Sequence, residues 1–483
     1  MKIQLLVLIC CVLILISCSK KDKVNPNTTQ TSSFSFSTIF QDNMVIQRDK
    51  PLMLWGKAIV GDKVVVNVSW NTTPFYANTD VDGNWKVSIP ASPVNSNPQT
   101  ISASIEGKTP IMVSNILIGD VWICSGQSNM VMPVGPIAPF TGVLNYPDEI
   151  ANANYPQIRA FTVITNSQAS PVADLPNGSK WDICSPATVG NISAVAYFFA
   201  RKLNTDLNVP IGVVVSAVNN TLCTQWMNKE AFLSTNDAAG GEYYNGMIAP
   251  LINLSVKGFI WYQGENDENQ MVAATYTQLN TALINGWRTA FNQGALPFYY
   301  VQLAPFDNGQ TGDATLDDIA LFREGQALIR TNVTNSGMAV TMDIGDVLNH
   351  HPPNKKPVGE RLALLALKND YGKNVVAVGP QYSSFTVNNN TATISFATGT
   401  ADGLTTGNNF PLNQYFFVAG TDQVLRQGKA VINGNTIIVT APADTPLPIQ
   451  TIRYAFTNFP ITNLQNSAGL PAEPFRSGVL DVK

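Results

Sequence analysis

The stretch "ILIGDVWICSGQSNM", residues 116–130, is an apolar run of strand length that stops abruptly in small and polar side chains. It does not alternate, so both of its faces are expected to be buried, as in a parallel sheet covered by helices on both sides. Four further runs share that construction: "PIGVVVSA" (210–217), "VKGFIWYQ" (256–263), "PFYYVQL" (297–303) and "GMAVTMDI" (337–344). Helix-like stretches lie between several of them, namely "ISAVAYFFARKLNTDL" (192–207), "YTQLNTALINGWRTAF" (276–291) and "LDDIALFREGQALIRTN" (316–332). Such alternation predicts an α/β domain, here over residues 116–372.

On either side of this domain the period changes. From Phe36 to Asn115 the chain alternates, with Val64, Val66, Val68 and Trp70 of "KVVVNVSW" on one face and Asp82-Gly83 where a hairpin should turn. We read residues 36–115 as a small β-sandwich. Beyond about Val375 the helix signals vanish, and "VNNNTATISF" and "AVINGNTIIVTAP" look like hairpins on Asn and Gly turns, predicting a second β domain over 373–483.

The amino terminus has Lys2, an unbroken apolar run from Ile3 to Ile16, then Ser17 and Cys18. This is shorter than the roughly 20 apolar residues of a spanning helix. Residues 1–18 therefore read as a signal peptide. Its ending "LISC" resembles the lipobox of bacterial lipoproteins, which implies an exported outer-membrane or periplasmic lipoprotein of a bacterium held to the membrane only through a lipidated Cys18. Residues 19–35 are polar and turn-rich, as a flexible tether would be.

Composition removes several function classes. With 29 basic against 33 acidic residues and only 13% charged, the chain offers no basic surface for nucleic acid. It has only two histidines, His350 and His351, and no HExxH, so a His-rich metal site is not expected. Neither metal nor organic cofactor is implied. After Cys18 only Cys124, Cys184 and Cys223 remain; at most one disulfide can form, and buried apolar thiols are the plainer expectation.

In an open parallel sheet, function gathers just past the carboxyl ends of the strands. Polar loops occupy that position after "DVWIC", after "GVVVSA" and after "GFIWY": they are "SGQSNM", "NNTLCTQW" and "QGENDE". The histidine pair follows "MAVTMDI" in the same way. If an imidazole activates a nucleophile in this chain, it comes from that dipeptide.

The blocks "GDVWICSGQSNM" and "GFIWYQGEN" resemble two signatures of the sialate O-acetylesterase family, a branch of the SGNH-type hydrolases. "IFQDNMVIQRDKPLMLWGKA", "ANYPQIRAFTV", "YYNGMIAPL", "HPPNKKPVGERLALLAL" and "NSAGLPAEPFRS" extend the likeness over about residues 38–478. It implies an SGNH-hydrolase-like α/β domain with helices on both faces of its sheet, flanking β domains, and release of acetate from O-acetylated carbohydrate. An acetylxylan-type esterase is an alternative within that chemistry.

The resemblance makes Ser128 the nucleophile and His351, followed by proline, the general base; His350 stands where relatives have an aliphatic residue and reads as a solvated loop side chain. An imidazole of ordinary pKa can take the serine proton and return it to the leaving oxygen. By the same resemblance the Gln263 amide points at the oxyanion, together with the backbone N–H of Ser128 and of Asn219. Glu265 reads as a structural residue of its loop.

Two departures stand out. Relatives show "SSWGGTPIEAW" where this chain has "SAVNNTLCTQW", so Asn219 and Asn220 replace two glycines and Thr224 an acidic residue. Asn tolerates left-handed dihedrals, and any non-proline residue supplies an N–H. Secondly, the positions two and three residues before His351 hold Asn349 and Leu348, where relatives or other SGNH enzymes carry an acid. The nearest acids are Asp346 and Asp343, which leaves Asp343, Asp346 or a Ser-His dyad as the options. Two rival readings follow: a catalytically silent carbohydrate-binding lipoprotein, and a thiol hydrolase using Cys124.

Overall fold

The computed structural model describes residues 34–235, 240–268, 270–306, 318–407 and 410–478. The expected signal peptide, its Cys18 and nearly all of the expected tether lie outside the described residues. No helix among the described residues is long and apolar enough to cross a membrane.

The strand expected around residue 116 runs unbroken from Ile111 to Gly126 and belongs to two structures at once. Its first part pairs with Val45–Gln47 in parallel and with Asn95–Ser104 antiparallel. Its second part is the middle of a seven-strand run in the order Lys180–Cys184, Tyr155–Thr162, Ile211–Ala217, Ile111–Gly126, Gly258–Tyr262, Phe298–Val301, Ser336–Ala339. All neighbours in that run are parallel except the edge strand Lys180–Cys184. The boundary read at residue 115 therefore falls inside one continuous strand.

Both faces of the run are covered, which explains its unbroken apolar sequence. Trp122 and Cys124 pack with the helices Ala194–Leu207 and Lys356–Asn369, whereas Val121 and Ile123 face the side of Ala273–Phe291 and Asp318–Asn332. The first two helices meet so closely that a Cβ on Gly359 would lie 2.6 Å from Phe198 Cβ. Cys124, Cys184 and Cys223 are free and buried, so no disulfide joins them.

In the N-terminal part Val64, Val66 and Val68 are buried as their alternation predicts. The Asp82-Gly83 turn forms, with Gly83 at φ 75°, but it does not close a hairpin. Asn71–Asn78 pairs with Lys63–Val68, while Asn84–Ile89 pairs with Leu52–Lys57 in a different sheet. The turn carries the chain from one sheet to the other, and the Asp80 carboxylate holds it by accepting from the backbone of Asp82 and Asn84. Beyond the α/β part, both expected hairpins are present: Tyr382–Asn388 with Thr391–Phe396, and Lys429–Asn433 with Thr436–Thr440.

Candidate active site

Gly126 ends the central strand at φ 137°, and a Cβ there would lie 2.0 Å from the carbonyl oxygen of Tyr262 on the neighbouring strand. Only glycine lets the two strand ends approach this closely. Gln127 then donates its backbone N–H to the same Tyr262 oxygen (3.0 Å), and Ser128 opens the one-turn helix Ser128–Val131. Ser128 is thus set at the carboxyl edge of the sheet, 5% exposed.

The residue after it ties the site together. Asn129 donates from Nδ2 to the carbonyl oxygen of His350 (2.9 Å) and to the Glu265 carboxylate, and its Oδ1 accepts from Lys355 Nζ (2.5 Å). One buried amide therefore links the serine turn, the loop after Gly258–Tyr262 and the histidine loop. Ser128 and His351 are brought to the same rim of the sheet through their immediate chain neighbours.

Lys355 is fully buried, and its ammonium also lies 5.4 Å from the centre of the Tyr262 ring. Burial pushes the Glu265 carboxyl up and the Lys355 amine down, and each opposes the shift of the other through its charge. Removing one member takes away the opposite charge that opposes the other's shift. Lys355→Met is expected to destabilise the fold by about 3 kcal/mol, read from the denaturant midpoint. Glu265→Gln in the same chain should recover part of that loss, and a Lys355→Met protein as stable as the parent would contradict the linkage.

His351 is placed differently from its neighbour. Its backbone N–H donates to Asn349 Oδ1 (2.8 Å), its ring stands edge-on to Phe140 at 5.1 Å, and Nε2 is buried without a partner among the described residues. Burial, followed by the adjacent His350 and Lys355, pulls its pKa down to about 4. The His350 ring, 4.0 Å away, is lowered by burial and by Lys355 and faces Phe306. His351 is therefore neutral and able to accept a proton at any pH well above 4.

If His351 is the base, kcat/KM on an uncharged acetyl ester should stay level from pH 7 down to about 5 and fall only near 4. A midpoint near the ordinary histidine value of about 6.5 would rule this out. Stability follows the same shift. Below about pH 6.5 the unfolded chain binds a proton that the folded chain refuses until about 4, so this residue's contribution weakens across that window.

No carboxylate among the described residues is hydrogen-bonded to the His351 imidazole. Asp343, weighed above as the third member, is held bidentately by Arg361 at 2.7 and 2.6 Å. The reason is topological: the last strand stops at Ala339, and the helix Lys356–Asn369 delivers its guanidinium to the start of the following loop. Asp346 accepts instead from the backbone of Leu348 at 3.1 Å.

The Gln263 amide is fully enclosed. Its Nε2 donates to the Thr221 carbonyl (3.0 Å), to Gln127 Oε1 (3.2 Å) and to Asp267, and its Oε1 accepts from the Tyr276 hydroxyl (3.2 Å). Its donors are thus spent on neighbouring loops. Gln127 is the amide that reaches the cavity, its Oε1 fixed by Gln263 Nε2 and facing the backbone N–H groups of Gly264 and Asn266 at 3.4 Å. Sequence reasoning passed over Gln127, although it stands inside the serine block.

Asn219 and Asn220 are both exposed, and the left-handed dihedral falls on Asn220, at φ 56°. Asn220 accepts from Asn266 Nδ2 (3.0 Å) and lines the cavity. Asp267, fully buried, accepts from the Cys223 backbone at 3.1 Å and so anchors the loop that carries these asparagines.

The cavity is a cleft of about 240 Å³ walled by Gln127, Asn220, Tyr262, Glu265, Asn266 and Glu268 on one side and by residues 303–306, Asn349, His350 and Pro352 on the other. Ser128 directly follows one lining residue, and His351 stands between two. Among the described residues no group of three or more His, Cys, Asp or Glu side chains converges as metal ligands would.

Residues 118–368 match the sequence model of a family described as "Carbohydrate esterase, sialic acid-specific acetylesterase". The chain belongs to this family. It is similar to a solved carbohydrate acetylesterase from Xanthomonas citri, which is 32% identical and superposes with a TM-score of 0.84 over 92% of this chain and 99% of the other. The sialate O-acetylesterase of Rattus norvegicus is 29% identical over 72% of this chain and 76% of its own length, and that of Homo sapiens is 28% identical over 72% and 73%. The protein is a carboxylic-ester hydrolase of the sialate O-acetylesterase kind, with a mixed α/β fold and additional β-sheet regions. In this esterase the two signature blocks run along the neighbouring strands that end at Gly126 and Tyr262 and into the loops beyond.

Proposed function

We propose that this esterase removes acetyl groups from carbohydrate hydroxyls through an acyl-enzyme on Ser128, in an SGNH-type domain. The observation that carries the reading is the Asn129 amide, which joins the serine turn to the His350 carbonyl and so sets a hydroxyl and a neutral imidazole at one rim. Ser128 Oγ attacks the acetyl carbonyl carbon while His351 takes its proton. The tetrahedral intermediate collapses, and the sugar oxygen leaves with the proton that His351 returns. Water then attacks the acetyl-serine, giving its proton to His351, and acetate departs as Ser128 is reprotonated.

The oxyanion is held by the Ser128 backbone N–H and by the Gln127 amide, whose carbonyl is anchored on the Gln263 side and which lines the cleft. Gln263 serves by fixing Gln127, and the Asn219 N–H lies on the exposed turn beside the cleft. Among the described residues His351 is held by its backbone bond to Asn349 and by packing on Phe140.

A fluorophosphonate ester, which traps activated serines, tests this directly. Peptide mass spectrometry should find the adduct on Ser128 alone, and His351→Ala should slow its formation. Labelling elsewhere, or none with the folded parent, would overturn the serine mechanism.

The leader supports export with lipidation of Cys18. Cys18→Ser should abolish incorporation of labelled palmitate in cells, and retained label would overturn that part.

A further inference from the structure

We propose that the acetyl ester turned over here sits on an uncharged glycan chain rather than on a sialate. The inference rests on the acyl-serine reading and concerns which sugar the same cleft accepts. A sialate carries a carboxylate beside its acetylated hydroxyls, and proteins hold such a group with an arginine fork or an ammonium in contact. The acidic walls of the cleft are Glu265 and Glu268, and among the described residues no lysine or arginine lines it.

The nearby cations are spent elsewhere. Lys355 is fully buried, with its ammonium on Asn129. Arg323 is also fully buried and gives Nε to the Leu303 carbonyl (2.9 Å), Nη1 to Thr457 (3.0 Å) and Nη2 to Asn458 (2.8 Å). The remaining basic side chain at the cleft, His350, is shifted toward its neutral form by burial and by Lys355. Residues 307–317, outside the described set, contain no lysine or arginine in their sequence.

The cleft also continues. A groove of about 900 Å³ shares Glu268 and Ile319 with it and runs on past Val272, Asp318 and Leu328. Its one guanidinium, Arg476, is held bidentately by Glu324 at 3.1 and 2.9 Å. Cleft and groove together offer more length than a single sugar needs. Carboxylates and the amides of Asn220, Asn266 and Asn349 suit hydroxyl groups, which both donate and accept, and the Phe306 ring offers a face for a sugar.

Steady-state kinetics on three esters tests the proposal: p-nitrophenyl acetate, acetylated xylo-oligosaccharide and 9-O-acetylated sialic acid. The neutral oligosaccharide should exceed the sialate in kcat/KM by at least about tenfold. Raising the ionic strength should narrow that ratio, since salt screens the like charges. Glu268→Lys should move the ratio toward the sialate by about tenfold or more, and because it is read as a ratio, a general loss of folded protein does not disturb it.

A sialate turned over as well as or better than the oligosaccharide overturns the inference. So does hydrolysis of p-nitrophenyl acetate with no turnover of either sugar, which leaves the acyl-serine reading standing. Failure of the parent on all three esters brings down both.

Discussion

Acetate release from p-nitrophenyl acetate is expected to fall by about 10⁴-fold or more in Ser128→Ala, with KM changed only a few-fold. The change removes one oxygen from a residue that is 5% exposed and sits on a turn fixed by backbone bonds at Gly126, Gln127 and Met132. The fold should therefore survive, and the thermal midpoint should match the parent within a degree or two. The loss belongs to the chemical step, because without Oγ no acetyl-enzyme can form and only the donors of the cleft remain to assist water. The measurement is single-turnover and steady-state acetate release on protein of verified fold. A loss under tenfold would remove Ser128 from the mechanism and return Cys124 for consideration. Cys124 starts from a poor position: it lies fully buried within the central strand, and burial pushes its thiol well above the ordinary range.

The second large effect separates the two histidines. His351→Ala should lower kcat by about 10³-fold, within the range for losing a general base, while His350→Ala should cost no more than about tenfold. The distinction rests on placement. His351 has a buried Nε2 with no partner among the described residues, whereas His350 lines the cleft beside Phe306, where it touches whatever occupies it. His350→Ala should accordingly act mainly on KM. Because no carboxylate among the described residues orients His351, its contribution should fall short of the largest values known for complete triads. If His350→Ala proved the more damaging in kcat, the roles would exchange, and the aromatic contact between His351 and Phe140 would become a support for the working imidazole.

Much of this architecture was visible in the residues themselves. The five apolar runs each became a parallel strand because strands covered on both faces leave a continuous hydrophobic trace. The Asn and Gly turns of the C-terminal part likewise announced their hairpins. Tyr155–Thr162 was not legible as a strand of the sheet, since Pro156, Gln157 and Arg159 interrupt its apolar pattern. Arg159 is nonetheless buried, with Nε donating to the Pro156 carbonyl. A polar residue buried within a strand leaves no periodic trace.

At the site, strand ends could be located but hydrogen-bond partners could not. Gln263 lies in the expected loop, yet its amide faces inward because Asp267, one helical turn on, competes for it. Asp343 stands near the expected strand end, yet Arg361 from eighteen residues later claims it. Lys355 drew no notice in sequence, since a lysine four residues past a histidine is ordinarily solvated; only the fold shows that its ammonium points inward to Asn129. Such pairings depend on which loops face one another across the sheet, and that information is not local.

The unbroken strand from Ile111 to Gly126 has a further meaning for how the enzyme could be trimmed or fused. A fragment starting at residue 116 would strip Val45–Gln47 and Asn95–Ser104 from their partner and bare the hydrogen-bonding edge of the very rod that leads into Ser128. Bare edges of that kind recruit other chains. Asp120, whose carboxylate is gripped by Arg48 at 3.0 Å on each oxygen, would lose its counter-charge in the same cut. The amino-terminal sheets are thus a splint for the catalytic half, and a minimal working enzyme must begin ahead of them.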